Sequence, residues 1–364
     1  MKNTEQKSNP NPLNFNEQHY LAANPDVAQA VSKGRFESGL EHYHKFGRRE
    51  GRLIKPGLRA APPQLELIQG NWKLQSRRNR ILAGIDLTTD FGLEIGALCF
   101  PMVTHQEGHI FYVDFATTDE LKKNYANDPA VDISKIVEVD AIWGNRSLQD
   151  CVEQRTFDYV VASHVVEHVP DLITWLAEIA SVLKSTGSLR LAAPDRRFTF
   201  DYLRNESRLH DVLDAYLNKQ RRPSSRQILE NCDLCREVDY QEAWQGELDT
   251  SKLRPKSSVV AGLDLARQSL SNGTYFDMHC WIFTPRSFCE LMQRLAELDL
   301  LTLKCDTFIP TQPGEIEFVI HMSPSTNKSE ILFSWNSAAK IEMPRYPITQ
   351  SRVKAWIKKR LAMH

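Results

Sequence analysis

Phe91-Gly92-Leu93-Glu94-Ile95-Gly96-Ala97-Leu98 reads as a short apolar strand that enters a turn at one glycine. The same rhythm continues downstream. Apolar runs at 92–95, 110–113, 136–139, 157–162 and 189–192 recur at the interval that a parallel sheet with crossover connections requires. Between the fourth and fifth runs, Leu172, Leu176, Ile179, Ala180 and Leu183 repeat at helical spacing, and Gly187 follows as a stop. The pattern predicts an α/β domain of alternating strands and helices.

Beyond Pro194 the rhythm breaks into a charged stretch at about 195–276, with a helical piece at 209–217 and the basic run Lys219-Gln220-Arg221-Arg222. We read it as a helical insertion beside the site. Regular structure resumes at Thr284-Pro285, an N-cap followed by proline in the first turn, with Phe288, Leu291, Met292 and Leu295 on one face. Segments 300–308 and 315–322 read as two closing strands around a turn at 310–314. The remainder, 323–364, is an extension in which 352–360 is basic and carries Val353, Trp356, Ile357 and Leu361 on one helical face. Such a helix packs on its own domain or touches an anionic membrane.

Upstream, residues 1–14 are polar and rich in Asn and Pro, which predicts a disordered lead. Residues 15–54 hold two short helical patterns punctuated by Asn24-Pro25 and Gly34. Residues 55–90 combine a linker, marked by Pro56-Gly57 and Pro62-Pro63, with a helical lead at 65–82 whose Arg77, Arg78 and Arg80 read as a solvated basic face. The pattern YLAANPDV at 20–27, with His42-Tyr43, Phe46-Gly47 and Glu50-Gly51-Arg52 behind it, resembles a small bacterial helical module of surface and polysaccharide-related proteins. That resemblance implies docking or capping and no chemistry.

A chain of 364 residues, 41% hydrophobic and 25% charged, can bury one sizeable core with additions at its ends. A formal net charge of -1 argues against a dedicated nucleic-acid partner, which would call for a basic excess. The first residues contain no apolar stretch of signal-peptide type, and no later one approaches about 18 uninterrupted apolar residues. The expectation is a soluble, cytoplasmic protein. Seven scattered cysteines read as reduced thiols, and Cys232 with Cys235 is a lone CxxC without a second pair, so no metal is expected there.

In an open parallel sheet, small ligands bind beyond the carboxyl ends of the strands. After the first strand, Gly96 lets the backbone approach a cofactor, and helix amides behind it would receive a negative group. The second strand ends at Asp114, where a carboxylate can accept hydrogen bonds from both hydroxyls of a ribose. The third is expected to end at Asp140, with Trp143 close behind to stack on a base.

Together the segments GLEIG at 92–96, YVD at 112–114, VEVD at 137–140, FDYVVASHVVEHVPD at 157–171 and APDRRFTFD at 193–201 resemble the class I S-adenosylmethionine-dependent methyltransferases over about 91–322. The resemblance implies a Rossmann-like, doubly wound, mostly parallel seven-stranded sheet with an antiparallel last strand, and S-adenosyl-L-methionine as cofactor. It implies that Glu94, Gly96 and Ala97 line the methionine end, that Asp114 holds the ribose, that Asp140 or Ala141 lies near the adenine, and that Ser163 and His164 face the reacting methyl. The usual glycine-rich loop is reduced here to Gly96 followed by Ala97-Leu98-Cys99-Phe100. Should the acceptor need a general base, the candidates are His164, His168, Asp195 and His279. The acceptor is expected to be a small molecule or a glycan, a sugar hydroxyl first among them, and the termini offer membrane or protein docking.

Three rival readings stand beside this one. His164-Val165-Val166-Glu167-His168 matches the HxxEH motif of zinc peptidases, which needs both histidines on one helix. A dinucleotide oxidoreductase would share the ribose-binding acid but carry GxGxxG, which is absent. A non-catalytic adaptor would bind the cofactor or nothing.

Overall fold

The computed structural model describes residues 15–47, 52–55, 58–59, 76–144 and 146–341. The lead at 1–14, most of the linker and helical lead at 56–75, and the basic segment at 352–360 lie outside these residues. The chain divides into two units, Met1–Leu65 and Glu66–His364.

In the first unit, Asn16 caps the helix Glu17–Ala23, and Asn24 precedes Pro25 at the start of the helix Pro25–Ser32. Tyr20 is fully buried, with its hydroxyl 2.9 Å from His42 Nδ1. Rings of Phe15 and Tyr43 pack on it. A strand pair, Leu53–Lys55 with Leu58–Arg59, completes the unit.

The second unit is built on seven strands: β1 (Phe91–Ile95), β2 (His109–Asp114), β3 (Ala141–Ile142), β4 (Phe157–Ser163), β5 (Leu183–Pro194), β6 (Leu303–Ile309) and β7 (Glu317–Pro324). They lie in the order β3-β2-β1-β4-β5-β7-β6. Neighbours from β3 to β5 are parallel, while β7 is antiparallel to both β5 and β6. The order reverses at β1 and β4, and that switch opens a crevice above their carboxyl ends. Leu93, Val160 and Leu189 face one layer of the core, and Tyr112, Tyr159 and Val161 face the other. Burial on both sides explains why these strands are nearly continuous apolar runs.

The helix Leu172–Val182 covers the first face with Leu172, Trp175, Leu176 and Ile179, starting from an Asp171 cap. Thr284 caps the helix Pro285–Glu297, which buries Phe288, Leu291, Met292 and Leu295. Four helices, Leu209–Leu217, Ser225–Leu234, Tyr240–Gln245 and Val259–Asn272, fill the segment between β5 and that helix. All seven cysteines are buried thiols. Among the described residues, no helix is long and apolar enough to cross a membrane.

Several expectations are corrected. No helix follows β1, because residues 96–108 reach β2 through turns alone. The third strand is not 136–139 but Ala141–Ile142, paired with Val113 and Asp114. Gly187 does not stop a helix, since the helix ends at Val182 and Gly187 lies inside β5, where a Cβ would come within 2.8 Å of the Phe157 carbonyl oxygen. Arg77, Arg78 and Arg80 do not form a solvated face: Arg80 is buried and pairs with Glu315 at 2.5 Å, while Arg77 reaches Glu317 at 2.6 Å. A helix at Lys328–Ala338, unread in the sequence, docks Trp335 on β6 through an Nε1–H bond to the Leu303 carbonyl of 2.9 Å.

Candidate active site

A cavity of about 680 Å³ opens at the switch point. Gly96, Asp114, Trp143 and His164 come to it from the strand ends, and Arg221 and His279 come from the insertion side. Gly96 has φ +67°, and a Cβ there would stand 2.9 Å from Val165 Cγ2. Both the backbone angle and the close approach require glycine.

Glu94 does not line this cavity. Its buried carboxylate turns the other way and accepts the Met102 amide at 2.7 and 3.0 Å and the Val103 amide at 3.3 Å. Burial raises its pKa to about 7 against the opposing pull of those amides. The turn-rich segment after Gly96 is thus fastened from inside the domain at Met102 and Val103. The Tyr112 hydroxyl adds a bond of 2.5 Å to the Val103 carbonyl. Ala97 is likewise turned away from the cavity and packs with Ile81, Leu82 and Met102.

Asp114 sits at the end of β2, buried, with Oδ1 accepting the Phe115 amide at 2.7 Å. Among the described residues no other hydrogen-bond donor engages it, which leaves acceptor capacity on the cavity side. Burial, reinforced by the charge of Asp277, raises its pKa to about 6. Asp140 precedes its strand instead of ending it, and its carboxylate is occupied by the Tyr112 amide at 2.7 Å. Neither Asp140 nor Ala141 lines the cavity, whereas the half-buried Trp143 does, held by its amide to the Asp114 carbonyl at 2.8 Å. The carbonyl of the next residue, Gly144, receives Arg221 at 3.0 Å.

The turn after β4 carries the densest chemistry. Ser163 accepts Arg77 at 2.5 Å and does not reach the cavity. His164 adopts φ +55°, an uncommon conformation for a residue with a side chain. Its Nε2 is 2.7 Å from Glu317, and its Nδ1 is 3.4 Å from Glu167. Burial works to lower its pKa, but the two carboxylates prevail and raise it to about 9. His168 and His279 stand edge to face, ring centroids 4.7 Å apart. Asp277 accepts from His168 Nδ1 at 2.8 Å, and Asp201 accepts from His279 Nδ1 at 2.5 Å. The inner nitrogens of both rings face Glu167. Because 164–170 is a turn and not a helix, the peptidase arrangement of HxxEH is not formed. Asp195 is also removed from the candidates for a base: it is fully buried, clasped by Arg197 at 2.5 and 2.9 Å and by Thr311 at 2.8 Å, away from the cavity.

Glu167, Asp201, Asp277 and Glu317 were missed as site residues. Each acts on a histidine far from it in sequence or hidden within a short motif. Two local signals existed: Glu167 within His164-Val165-Val166-Glu167-His168, and Asp277 close to His279 in Asp277-Met278-His279.

A carboxylate with spare acceptor capacity, a backbone made accessible by Gly96 and a half-buried indole fit the nucleoside and amino-acid ends of S-adenosylmethionine. A methyltransferase-domain family model matches residues 90–299, more than half of the chain. No curated protein matches the sequence. Similar solved structures include a described Zn-dependent alcohol dehydrogenase from Rhodobacter sphaeroides, at 12% identity and TM-score 0.38 over 68% of this chain and 88% of that one. Also similar are S-adenosylmethionine-dependent methyltransferases from Listeria monocytogenes, at 12% identity and TM-score 0.35 over 70% and 97%, and from Clostridium acetobutylicum ATCC 824, at 8% and 0.33 over 66% and 85%. These likenesses are too distant to bear on activity. On the family match and the sheet order together, the chain belongs to the class I S-adenosylmethionine-dependent methyltransferases.

Proposed function

We propose that the enzyme methylates a hydroxyl group on a polar, sugar-like acceptor, a cell-surface glycan or its precursor. The observation that carries this reading is the wall of the cavity after β4, where three imidazoles, each tied to a carboxylate, surround Glu167. A preformed thiolate needs no such cluster, but a hydroxyl must become more nucleophilic as it attacks.

When bound, S-adenosylmethionine supplies an electrophilic methyl group on a sulfonium sulfur. Asp114 would accept the ribose hydroxyls, Trp143 would cover the base, and Gly96 would admit the methionine end. Glu94, Ala97, Asp140 and Ser163 support these positions from behind. His164, with its pKa near 9, is cationic at neutral pH and unsuited to take a proton. His168 and His279, whose outer nitrogens are fixed by Asp277 and Asp201, line the cavity and are placed to act on the acceptor oxygen. Gln220, Arg221 and Tyr275 on the insertion side give the cavity the mix of polar groups and an aromatic ring that suits a polyhydroxylated ligand.

The test is a methyl-transfer screen against cell-surface glycans and nucleotide sugars, with Asp114→Ala as the blank. Labelled methyl recovered as an ether on a sugar hydroxyl supports the reading. Transfer to carbon, or to a nitrogen with no oxygen acceptor found, sinks it.

A further inference from the structure

We infer that Glu167, His168 and His279 form a binding site for a divalent first-row metal ion of zinc type. Their donor atoms lie within 4.8 Å of one another. Glu167 is completely buried, and neither of its carboxylate oxygens accepts a hydrogen bond. A buried carboxylate left so is costly unless a cation meets it. Three imidazoles surround it: His164 Nδ1 stands nearest at 3.4 Å, and His279 Nε2 at 3.9 Å and His168 Nε2 at 4.0 Å lie too far for a hydrogen bond and are spaced as ligands around a common centre would be.

The outer nitrogens strengthen the case. A carboxylate can only accept, so Asp277 fixes the proton of His168 on Nδ1 and Asp201 fixes that of His279 on Nδ1. Both Nε2 lone pairs are thereby directed inward. A second carboxylate behind each ligating histidine is the arrangement that orients metal-bound imidazoles. The two contributing segments are also stitched together, with the Cys280 and Trp281 amides donating to the Glu167 carbonyl at 2.6 and 3.0 Å. The site is therefore set before any ion arrives. Two nitrogens and one carboxylate select zinc and its first-row neighbours over magnesium or calcium, which prefer all-oxygen shells. His168 and His279 also line the cavity, so an ion between them and Glu167 would lie against the acceptor and acidify its hydroxyl. Only this use rests on the reading of a hydroxyl acceptor; the binding itself does not.

The experiment strips the full-length protein with a chelator and titrates it with Zn²⁺ by calorimetry, then with Co²⁺ by visible absorption, in the absence of cofactor and acceptor. One equivalent of each should bind, with cobalt bands of a low-coordinate nitrogen–oxygen site and no thiolate charge-transfer band. Mg²⁺ should not compete. Glu167→Gln and His279→Gln should abolish binding. Asp201→Asn, which leaves the ligands in place, should weaken it about tenfold to a hundredfold. Glu317→Gln, which meets His164 and Arg77 but none of the three ligands, should leave metal affinity unchanged. Circular dichroism checks that each variant is folded, and the Asp201→Asn result carries the test if the ligand variants are not. No stoichiometric binding, a thiolate spectrum, or binding indifferent to both Glu167→Gln and Asp201→Asn overturns the proposal. Methylated sugar hydroxyls without metal binding would leave the acceptor reading intact, and metal binding with no hydroxyl methylated would overturn that reading alone.

Discussion

Glu94 and Glu167 belong to paired neighbouring strands, one within β1 and the other just past the end of β4, and both are almost wholly buried. Their surroundings are opposite. Glu94 is met by backbone amides of Met102 and Val103, and burial still lifts its pKa to about 7. Glu167 has no hydrogen-bond donor, and although burial opposes its charge, the imidazoles around it hold its pKa below the ordinary glutamate range. Amides accept a carboxyl group in either protonation state, so they suit a brace for a loop. Imidazoles beside a bare carboxylate are worth placing only where a charge is to be used. We therefore read Glu94 as architecture and Glu167 as chemistry, and the predictions below test that division.

The largest effect should follow from Glu167→Gln, which keeps the shape and removes the charge. Methyl transfer should fall by about 10²- to 10⁴-fold, the range for losing activation of the attacking group. Binding of S-adenosylhomocysteine should change little, because Glu167 does not line the cavity. A loss of product-analogue affinity as large as the loss of rate would break the distinction.

Next is Asp114→Ala, which should weaken S-adenosylhomocysteine about a hundredfold, as expected for two hydrogen bonds to a charged acceptor. Wild-type affinity should depend on pH in the same sense. With a pKa of about 6 in the folded protein, Asp114 is a full acceptor above that value and loses an acceptor site when protonated, so affinity should fall as pH drops through 6. Calorimetry on either side of pH 6 checks both, and a profile that is flat in wild type would remove Asp114 from the ribose site.

How much of this was legible follows from how local each feature is. Strand periodicity placed β1, β2, β4 and β5, since a strand buried on both faces is apolar at nearly every position. It failed at β3 because only two residues pair there, and 136–139 is apolar for a different reason: Ile136 packs against Cys99, Ala116 and Leu121. The helix behind β1 was inferred from fold analogy, and nothing local announced that Glu94 would instead fasten a loop at Met102 and Val103. Asp114 was readable, because a single acid at a strand end needs no partner. The histidine cluster was not. His279 is more than a hundred residues from Glu167, and pairing them depends on how the insertion returns to β4. Asp195 misled for the complementary reason: it has the right place after a strand, but Arg197 two residues on closes over it.

Gly96→Ala should have a moderate effect. Holding alanine at φ +67° costs about 1–2 kcal/mol, and the new Cβ meets Val165 Cγ2. Cofactor affinity or stability should fall about tenfold in equilibrium terms. The double variant with Val165→Ala should recover the part due to crowding and none of the part due to backbone angle. Full recovery would mean that the left-handed turn is not required.

Glu94→Gln should have the smallest effect, and an effect on stability instead of rate. Its amide oxygen can keep the Met102 bond, while its NH₂ faces the Val103 amide without a partner, a loss of about 1 kcal/mol. The pH dependence carries the sharper information. The folded pKa of about 7 exceeds the ordinary 4.5, so between those values the folded state binds more protons than the unfolded one. The contribution of Glu94 to stability should therefore be greatest below 4.5 and decline as pH rises through 7. Glutamine has no proton to lose, so the variant should lack this decline, and the gap between the two proteins should narrow at alkaline pH. Denaturant unfolding at several pH values measures it. Glu167 predicts the reverse slope, because its lowered pKa adds stability above its unfolded value that is lost on acidification. If both glutamates gave the same slope, the surroundings of the two carboxylates would not be what separates brace from reactive group.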